Sequence, residues 1–314
     1  MIKKTGVVGA GTMGQGIATA FSMYGYEVHL FDLDKAKLTT VKEDIRNDLQ
    51  LLVEESLIEG SRIPQVLNNI LLFDNLKESV EDCDYVIEAV PEYLILKQEL
   101  LRQLDNFCPA KTILATNTSS LRLQDLMIHL SDSRKERTMV NHWYNPAYLI
   151  PIIELSSFGN TCSEVFEVVS DFYKSIGKQP VKVLKDVPGL VANRIQQAIA
   201  REVFSLIEME VASAVDIDNA LKFGPAFRYA TTGQLEIADF GGLDIWSITG
   251  DNLLPVMDNA QEANKLLKNK VSEGKLGFKS GEGFFEYDMR KKASIKKEYF
   301  RKLIRQLKVS NTYR

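Results

Sequence analysis

Thr5-Gly6-Val7-Val8-Gly9-Ala10-Gly11-Thr12-Met13-Gly14-Gln15-Gly16 is the stretch from which the fold is read. A β-rich run, Thr5 to Val8, leads into a G-x-G-x-x-G spacing at Gly9, Gly11 and Gly14, and a helical pattern follows from Gly16 to Met23. Strand, glycine turn and helix in that order form a phosphate cradle. Gly9 permits the tight turn, Gly11 lets a pyrophosphate approach the backbone, and Gly14 lets the helix pack close to the strand. Thr12 and Met13 share the turn, where the helix N-terminus offers free N–H groups to an anion. Asp32 ends the next strand candidate, 23 residues beyond Gly9. A carboxylate there accepts hydrogen bonds from a ribose 2′-hydroxyl and repels a 2′-phosphate, so the cofactor expected is NAD rather than NADP.

Outward from this unit, β-rich runs alternate with helical ones. Glu27–Phe31, Ile70–Phe73, Tyr85–Ala89, Thr112–Ala115, Thr138–Asn141 and Ile152–Leu155 read as strands, which predicts βαβ units and a parallel sheet covered by helices on both faces. Leu38, Val41, Ile45, Leu49, Leu52 and Val53 recur at three- and four-residue steps, predicting one long helix over 35–58 or a helical hairpin ending at Gly60. After a last strand, Val181–Leu184, the Pro188-Gly189 turn ends the strand pattern. From Leu190 onward Ile195, Ala198, Ile199, Val203, Leu206 and Ile207 mark a helical face. The expected architecture is α/β: a Rossmann-type doubly wound sheet over 1–186, then an all-α domain over 187–288 and a basic, helical tail over 289–314.

The chain has 314 residues, 45% apolar and 25% charged, and a net charge of −4. That balance lacks the electrostatic footprint of a nucleic-acid binder. No run of about 18 apolar residues occurs, so neither a membrane span nor a signal peptide is expected. Cys83, Cys108 and Cys162 are widely spaced, which predicts no disulfide framework and no zinc site, and fits a reducing cytoplasm. The last 26 residues hold ten Lys/Arg and one acid, Glu298. They read as a solvated helix on the acidic body of this chain or of a second subunit, the alternative being an amphipathic helix that binds an anionic partner.

Of the three histidines, His29 lies inside a strand and His129 in a short helix with Leu123, Leu126 and Leu130, and both read as structural. His142 instead ends a strand and precedes Trp143-Tyr144-Asn145-Pro146, at the edge where open α/β sheets bind ligands. Glu154, in the apolar run Ile152-Ile153-Glu154-Leu155, needs a partner if it is buried. A His–Glu pair meets that need and suits general acid/base work; a Glu bonded to another donor, with His142 on the surface, is the alternative.

Several motifs in order resemble the L-3-hydroxyacyl-CoA dehydrogenase family over residues 1–288. They are the glycine loop, Ile87-Glu88-Ala89-Val90-Pro91-Glu92, Asn117-Thr118-Ser119-Ser120, His142 to Pro146, Pro188 to Arg194, and Gly281-Glu282-Gly283-Phe284-Phe285. The resemblance implies that His142 is the base and Glu154 its orienting partner. It places Ser119 and Asn193 around the substrate oxygen, with Asn145 beside the substrate, and sets Asp32, Glu92, Lys97 and Asn117 against NAD. It also implies a homodimer built through the helical domain and a 3-hydroxyacyl-CoA as substrate; fatty-acid metabolism is one setting for that hydride chemistry, and butyrate metabolism and sugar-acid breakdown use the same.

Two departures bear on that substrate. CoA-using members carry a lysine in the second half of the helical excursion, beside the CoA phosphates, whereas this chain has none between Lys42 and Lys77, only Arg46 and Arg62. The segment Gly224 to Gly233 is longer than in those members and contains Arg228-Tyr229. In this it is similar to relatives acting on free hydroxy acids, such as L-gulonate and carnitine dehydrogenases, and to lambda-crystallin. Arg228 would grip a substrate carboxylate or, less specifically, pair with an acid such as Glu236. Oxidation of a 3-hydroxyacyl-CoA is thus the first expectation, a free 3-hydroxycarboxylate the second, and a non-catalytic NAD-binding protein a remote third.

Overall fold

The computed structural model describes residues 2–312, so Tyr313 and Arg314 of the expected tail lie outside the described residues. Two compact units emerge among the described residues: 2–191 together with Leu303–Leu307, and Ala192–Lys302 together with 308–312.

The first unit is an eight-stranded sheet of order β3-β2-β1-β4-β5-β6-β7-β8. Its elements run β1 (Lys4–Val8), α1 (Thr12–Met23), β2 (Glu27–Phe31), α2 (Lys35–Glu54), α3 (Ile63–Asn68), β3 (Ile70–Phe73), α4 (Leu76–Val80), β4 (Tyr85–Glu88), α5 (Leu94–Phe107) and β5 (Ile113–Thr116). Then follow α6 (Leu123–Leu126), α7 (Asp132–Lys135), β6 (Thr138–Trp143), β7 (Ile152–Ser156), α8 (Ser163–Ser175) and β8 (Gln179–Val183). All eight expected strands are present. The order reverses between β1 and β4, and the carboxyl ends beside that switch point form the crevice in which such sheets hold ligands.

One expectation is corrected. The sheet is not wholly parallel: β6 and β7 are antiparallel, with His142 directly opposite Glu154. Only residues 144–151 join them, too short a connection for a crossover helix, so the chain must turn back as a hairpin. β8 then returns parallel to β7 through α8. β8 starts before its expected first residue and includes Pro180, which the sheet tolerates because β8 is an edge strand.

The helical excursion is likewise shorter than the apolar periodicity predicts. α2 ends at Glu54, Ser56 takes a left-handed φ of 54°, and α3 starts only at Ile63, after a short 3₁₀ turn. His129 falls beyond α6 and is exposed, whereas His29 is buried with its ring nitrogens 3.0 Å from Ser79 O and Glu27 Oε1. The core beneath the sheet joins Val8, Val86, Leu101, Leu114, Leu126 and Val140.

The second unit consists of α9 (Ala192–Glu208), α10 (Ala214–Phe223), α11 (Pro225–Tyr229), α12 (Gln234–Gly241), α13 (Leu243–Leu253), α14 (Lys265–Ser272) and most of α15 (Lys292–Ser310). Among its described residues only Ile217 and Ile237 are buried apolar side chains. Leu235 and Phe240 are 84% and 85% exposed, and Leu243, Ile248, Leu254 and Val256 are exposed as well. Within α15 the turn Leu303–Leu307 belongs to the first unit, with Ile304 wholly buried and Arg305 Nε 3.5 Å from Glu55. The tail is thus in part a helix seated on the acidic body of its own chain. No helix among the described residues is long and apolar enough to cross a membrane.

Candidate active site

The glycine turn takes the form its sequence requires. Gly9 has φ 105°, and a Cβ on Gly14 would lie 1.6 Å from Gly9 O, so no other residue fits there. A Cβ on Gly11 would meet nothing within 4 Å, which leaves open space above the N-terminus of α1. Gly11, the N-cap, places no side chain over the free N–H groups, Thr12 is exposed, and Met13 is half-buried beside them. Asp32 stands at the end of β2, accepting from Ala10 N and Asp34 N at 2.8 Å each. An uncapped helix terminus, an open cradle and a fixed carboxylate together fit a dinucleotide.

The next wall comes from β4 and β5. Glu88, at the end of β4, is wholly buried and receives Lys97 Nζ at 2.7 and 2.9 Å, Val90 N at 3.1 Å and the Thr116 hydroxyl. The Lys97 ammonium also lies 3.2 Å from Glu92. Lys97 is only 1% exposed, so it meets the crevice through Glu92 rather than as an exposed cation. Glu92 Oε1 accepts from Thr118 Oγ1 at 2.6 Å, from Ser119 N at 2.9 Å, and from Ser120 N and Oγ at 3.0 Å. Burial pushes this carboxyl up, but the Thr118 hydrogen bond, the Lys97 charge and the remaining donors outweigh it and hold Glu92 down at about 2. Glu92 thereby fixes the turn that carries Ser119, whose hydroxyl has no hydrogen-bond partner among the described residues. Asn117 Oδ1 accepts from Trp143 N at 2.8 Å and ties the ends of β5 and β6 together.

The expected His–Glu pair sits on β6 and β7. Directly opposed residues of antiparallel strands share a face, and there His142 Nδ1 lies 2.8 Å from Glu154 Oε2. Glu154 is wholly buried, and its other oxygen accepts from Val191 N at 2.8 Å. That amide is aimed by Gly189 and Leu190, both in the left-handed region, a conformation a leucine adopts only at a cost of about 1–3 kcal/mol. With Nδ1–H directed at Glu154, the lone pair of His142 Nε2 is left outward, and no described residue bonds to it. The Tyr144 ring packs edge-on 4.9 Å from the imidazole, and Asn145 is exposed in the following loop.

Behind this pair a network absent from the sequence reading fixes the flanking side chains. Asn141 Nδ2 donates to Tyr85 Oη at 2.7 Å, the Tyr85 and Tyr173 hydroxyls are 2.7 Å apart, and Trp143 Nε1 donates to Tyr173 Oη at 3.2 Å. Burial pushes both phenols up, so the network stays neutral beside the strand of His142. Glu88 was also missed as a functional residue, although an acid ending an apolar strand was its visible signal.

The first unit therefore gathers Gly9, Gly11, Thr12, Met13, Gly14, Asp32, Glu92, Asn117, Ser119, His142, Asn145 and Glu154 along one edge of a sheet, with Lys97 behind Glu92. Asn193 and Arg228 belong to the second unit: Asn193 opens α9, half-buried, and Arg228 is exposed on α11 with no ion-pair partner among the described residues. The expected pairing of Arg228 with Glu236 is absent there.

Comparison with known proteins agrees with this geometry. Residues 4–187 match the 3-hydroxyacyl-CoA dehydrogenase, NAD binding domain family, and residues 189–287 match the 3-hydroxyacyl-CoA dehydrogenase, C-terminal domain family. The chain is 32% identical over 307 residues to 5-formyl-3-hydroxy-2-methylpyridine 4-carboxylate 5-dehydrogenase of Mesorhizobium japonicum, covering 97% of each chain. It is 32% identical over 294 residues to human mitochondrial hydroxyacyl-coenzyme A dehydrogenase, covering 91% of this chain and 92% of that one. A crystal structure of a 5-formyl-3-hydroxy-2-methylpyridine 4-carboxylic acid 5-dehydrogenase, described as an NAD+ dependent dismutase, superposes with a TM-score of 0.90 at 30% identity over 100% of both chains. Since the two family models together span nearly all of it, this chain belongs to the 3-hydroxyacyl-CoA dehydrogenase family and is an NAD-dependent dehydrogenase.

Proposed function

We propose that this dehydrogenase acts on a small molecule bearing a free carboxylate, oxidising its hydroxyl or hydrated formyl group, and that a CoA thioester is not its preferred substrate. The observation that carries this reading is the state of the helical excursion. Arg46 Nε donates to Glu43 at 3.2 Å, and Arg62 Nη2 donates to Met23 O at 2.5 Å, so each of its arginines already has a partner within the chain. The second half of the excursion, residues 43–62, carries Glu43, Asp44, Asp48, Glu54, Glu55 and Glu59 against those two arginines and no lysine. Coenzyme A carries several phosphate charges, and an acidic segment with partnered cations repels them. The full-length likeness to a pyridine-carboxylate dehydrogenase supports the same reading, since that match includes the tail. Arg228, with no acid on it among the described residues, is a cation free to meet a substrate carboxylate, and a guanidinium binds one through two parallel hydrogen bonds.

Bound NAD supplies the hydride acceptor. His142 Nε2 takes the hydroxyl proton as the C–H bond breaks, and Glu154 stabilises the imidazolium that forms. Ser119, supported from behind by Glu92, and Asn193 donate hydrogen bonds to the oxygen as its charge changes. In the reducing direction the imidazolium returns the proton. An alcohol and a hydrated aldehyde present the same O–H to this base, so one site serves both oxidation states. We further infer that a second copy covers the exposed apolar face of the helical unit, because a unit with two buried apolar side chains among its described residues has too little core to stand alone.

The test is NADH formation on L-3-hydroxybutyryl-CoA beside free L-3-hydroxybutyrate, L-gulonate, L-carnitine and 5-formyl-3-hydroxy-2-methylpyridine-4-carboxylate. A free carboxylate is expected to lead in kcat/KM by more than about tenfold, some 1.4 kcal/mol of transition-state binding. Arg228→Ala is expected to remove that preference, and a thioester lead of the same size contradicts the reading.

A further inference from the structure

The loop 144–151 joins the strand of His142 to the strand of Glu154, and it is gripped from two sides. On one side stands Lys178, 5% exposed, just before β8. Its ammonium donates to Ala147 O at 2.5 Å and to Ile150 O at 2.6 Å, and it lies 4.5 Å from the centre of the Trp143 ring. On the other side is α1, the helix of the glycine cradle. A Cβ on Gly16 would come within 3.1 Å of Ala147 Cβ and 3.4 Å of Ala147 N, so the loop backbone lies directly on that helix. The loop is folded into a tight turn of its own, Leu149 N and Ile150 N both donating to Pro146 O at 3.0 Å.

Burying an ammonium is costly, and an apolar side chain of the same length would fill this space more cheaply. What an apolar chain cannot do is hold two carbonyls and the face of an indole around one point. Those three groups are the residue after the base, the middle of the loop and a residue near its end. We propose that Lys178 is a positioning residue: it pins the loop onto the cofactor helix and so fixes the orientation in which His142 presents Nε2. It touches neither base nor cofactor and acts through Trp143, Ala147 and Ile150. The inference rests on the reading of His142 as the base.

The test compares Lys178→Met, Lys178→Gln and Gly16→Ala with the parent enzyme, measuring thermal stability, NADH affinity by fluorescence and steady-state kinetics on whichever free carboxylate is turned over. Lys178→Met is expected to bind NADH within about twofold of the parent while kcat drops at least about tenfold, with KM little changed, as misplacement of a base by a fraction of an ångström requires. Lys178→Gln, which keeps two donors, is expected to recover part of that loss. Gly16→Ala, pressing on Ala147 from the opposite side, is expected to lower kcat about three- to tenfold at unchanged NADH affinity, and it decides the matter if Lys178→Met does not fold. A kcat within twofold of the parent in the folded variants overturns the proposal, as does a loss confined to stability or NADH affinity. His142→Gln is the control: full activity there defeats the reading underneath, whereas an inactive His142→Gln beside a fully active Lys178→Met defeats only the role of Lys178.

Discussion

His142 is made useful by what its two neighbours do to one carboxylate. Glu154 is wholly buried, and its two oxygens are taken by the imidazole and by Val191 N, so it is held toward the ring. Glu154→Gln keeps the shape but offers the ring an amide that can favour the wrong tautomer, and kcat is expected to fall about 10²-fold or more. Loss within threefold, measured on the folded variant, contradicts the orienting role. Glu92 makes a pH prediction with a definite sign. Its folded carboxyl, at about 2, lies below its ordinary 4.5, so the bonds it accepts stabilise the fold above 4.5 and are lost as pH drops from there toward 2. Urea titrations should show Glu92→Gln less stable than the parent at neutral pH, with the gap closing below 4.5. A gap that widens with acid runs against this. Both acids were legible in the sequence, Glu154 because it interrupts an apolar strand, Glu92 through its motif. The Val191 amide was not, since a backbone N–H carries no residue signature.

At the scale of elements, the glycine turn and Asp32 were readable because backbone geometry there admits few residues, as the clash of a Cβ on Gly14 with Gly9 O shows. Asp32→Ala should lower kcat/KM for NAD about ten- to hundredfold and raise it for NADP, since one substitution removes both the ribose acceptor and the charge that repels a 2′-phosphate. Unaltered cofactor preference in paired assays counts against Asp32 as the selector. The hairpin of β6 and β7 was less legible. Both strands read as apolar runs, and such runs do not reveal direction; the short loop was the clue, and it alone forces the turn back that sets His142 opposite Glu154. The stop of α2 at Glu54 was hidden for a similar reason, because Leu57 and Ile58 continue the apolar period while Ser56 breaks the backbone. Lys178 left no mark in the sequence at all: its partners are carbonyls.

For the whole molecule, apolar exposure and charge decide. Leu243 and Phe240 stand exposed on helices that have almost no core of their own, so light scattering should find a dimer, and the double variant Phe240→Glu, Leu243→Glu should give a monomer of lowered stability. A parent chain that is monomeric and equally stable at micromolar concentration contradicts that assembly. Substrate class is the least legible property at this scale, because a missing lysine argues against one ligand without naming its replacement. The chemistry is more sharply testable. The measurement that bears most directly on it is the turnover of His142→Gln together with its NADH affinity, on the free carboxylate the parent enzyme uses best. NADH affinity within about twofold of the parent and kcat lower by at least about 10²-fold is the result predicted for a general base that does not touch the cofactor. Near-normal kcat with NADH bound as tightly as before would show that the proton leaves by another route.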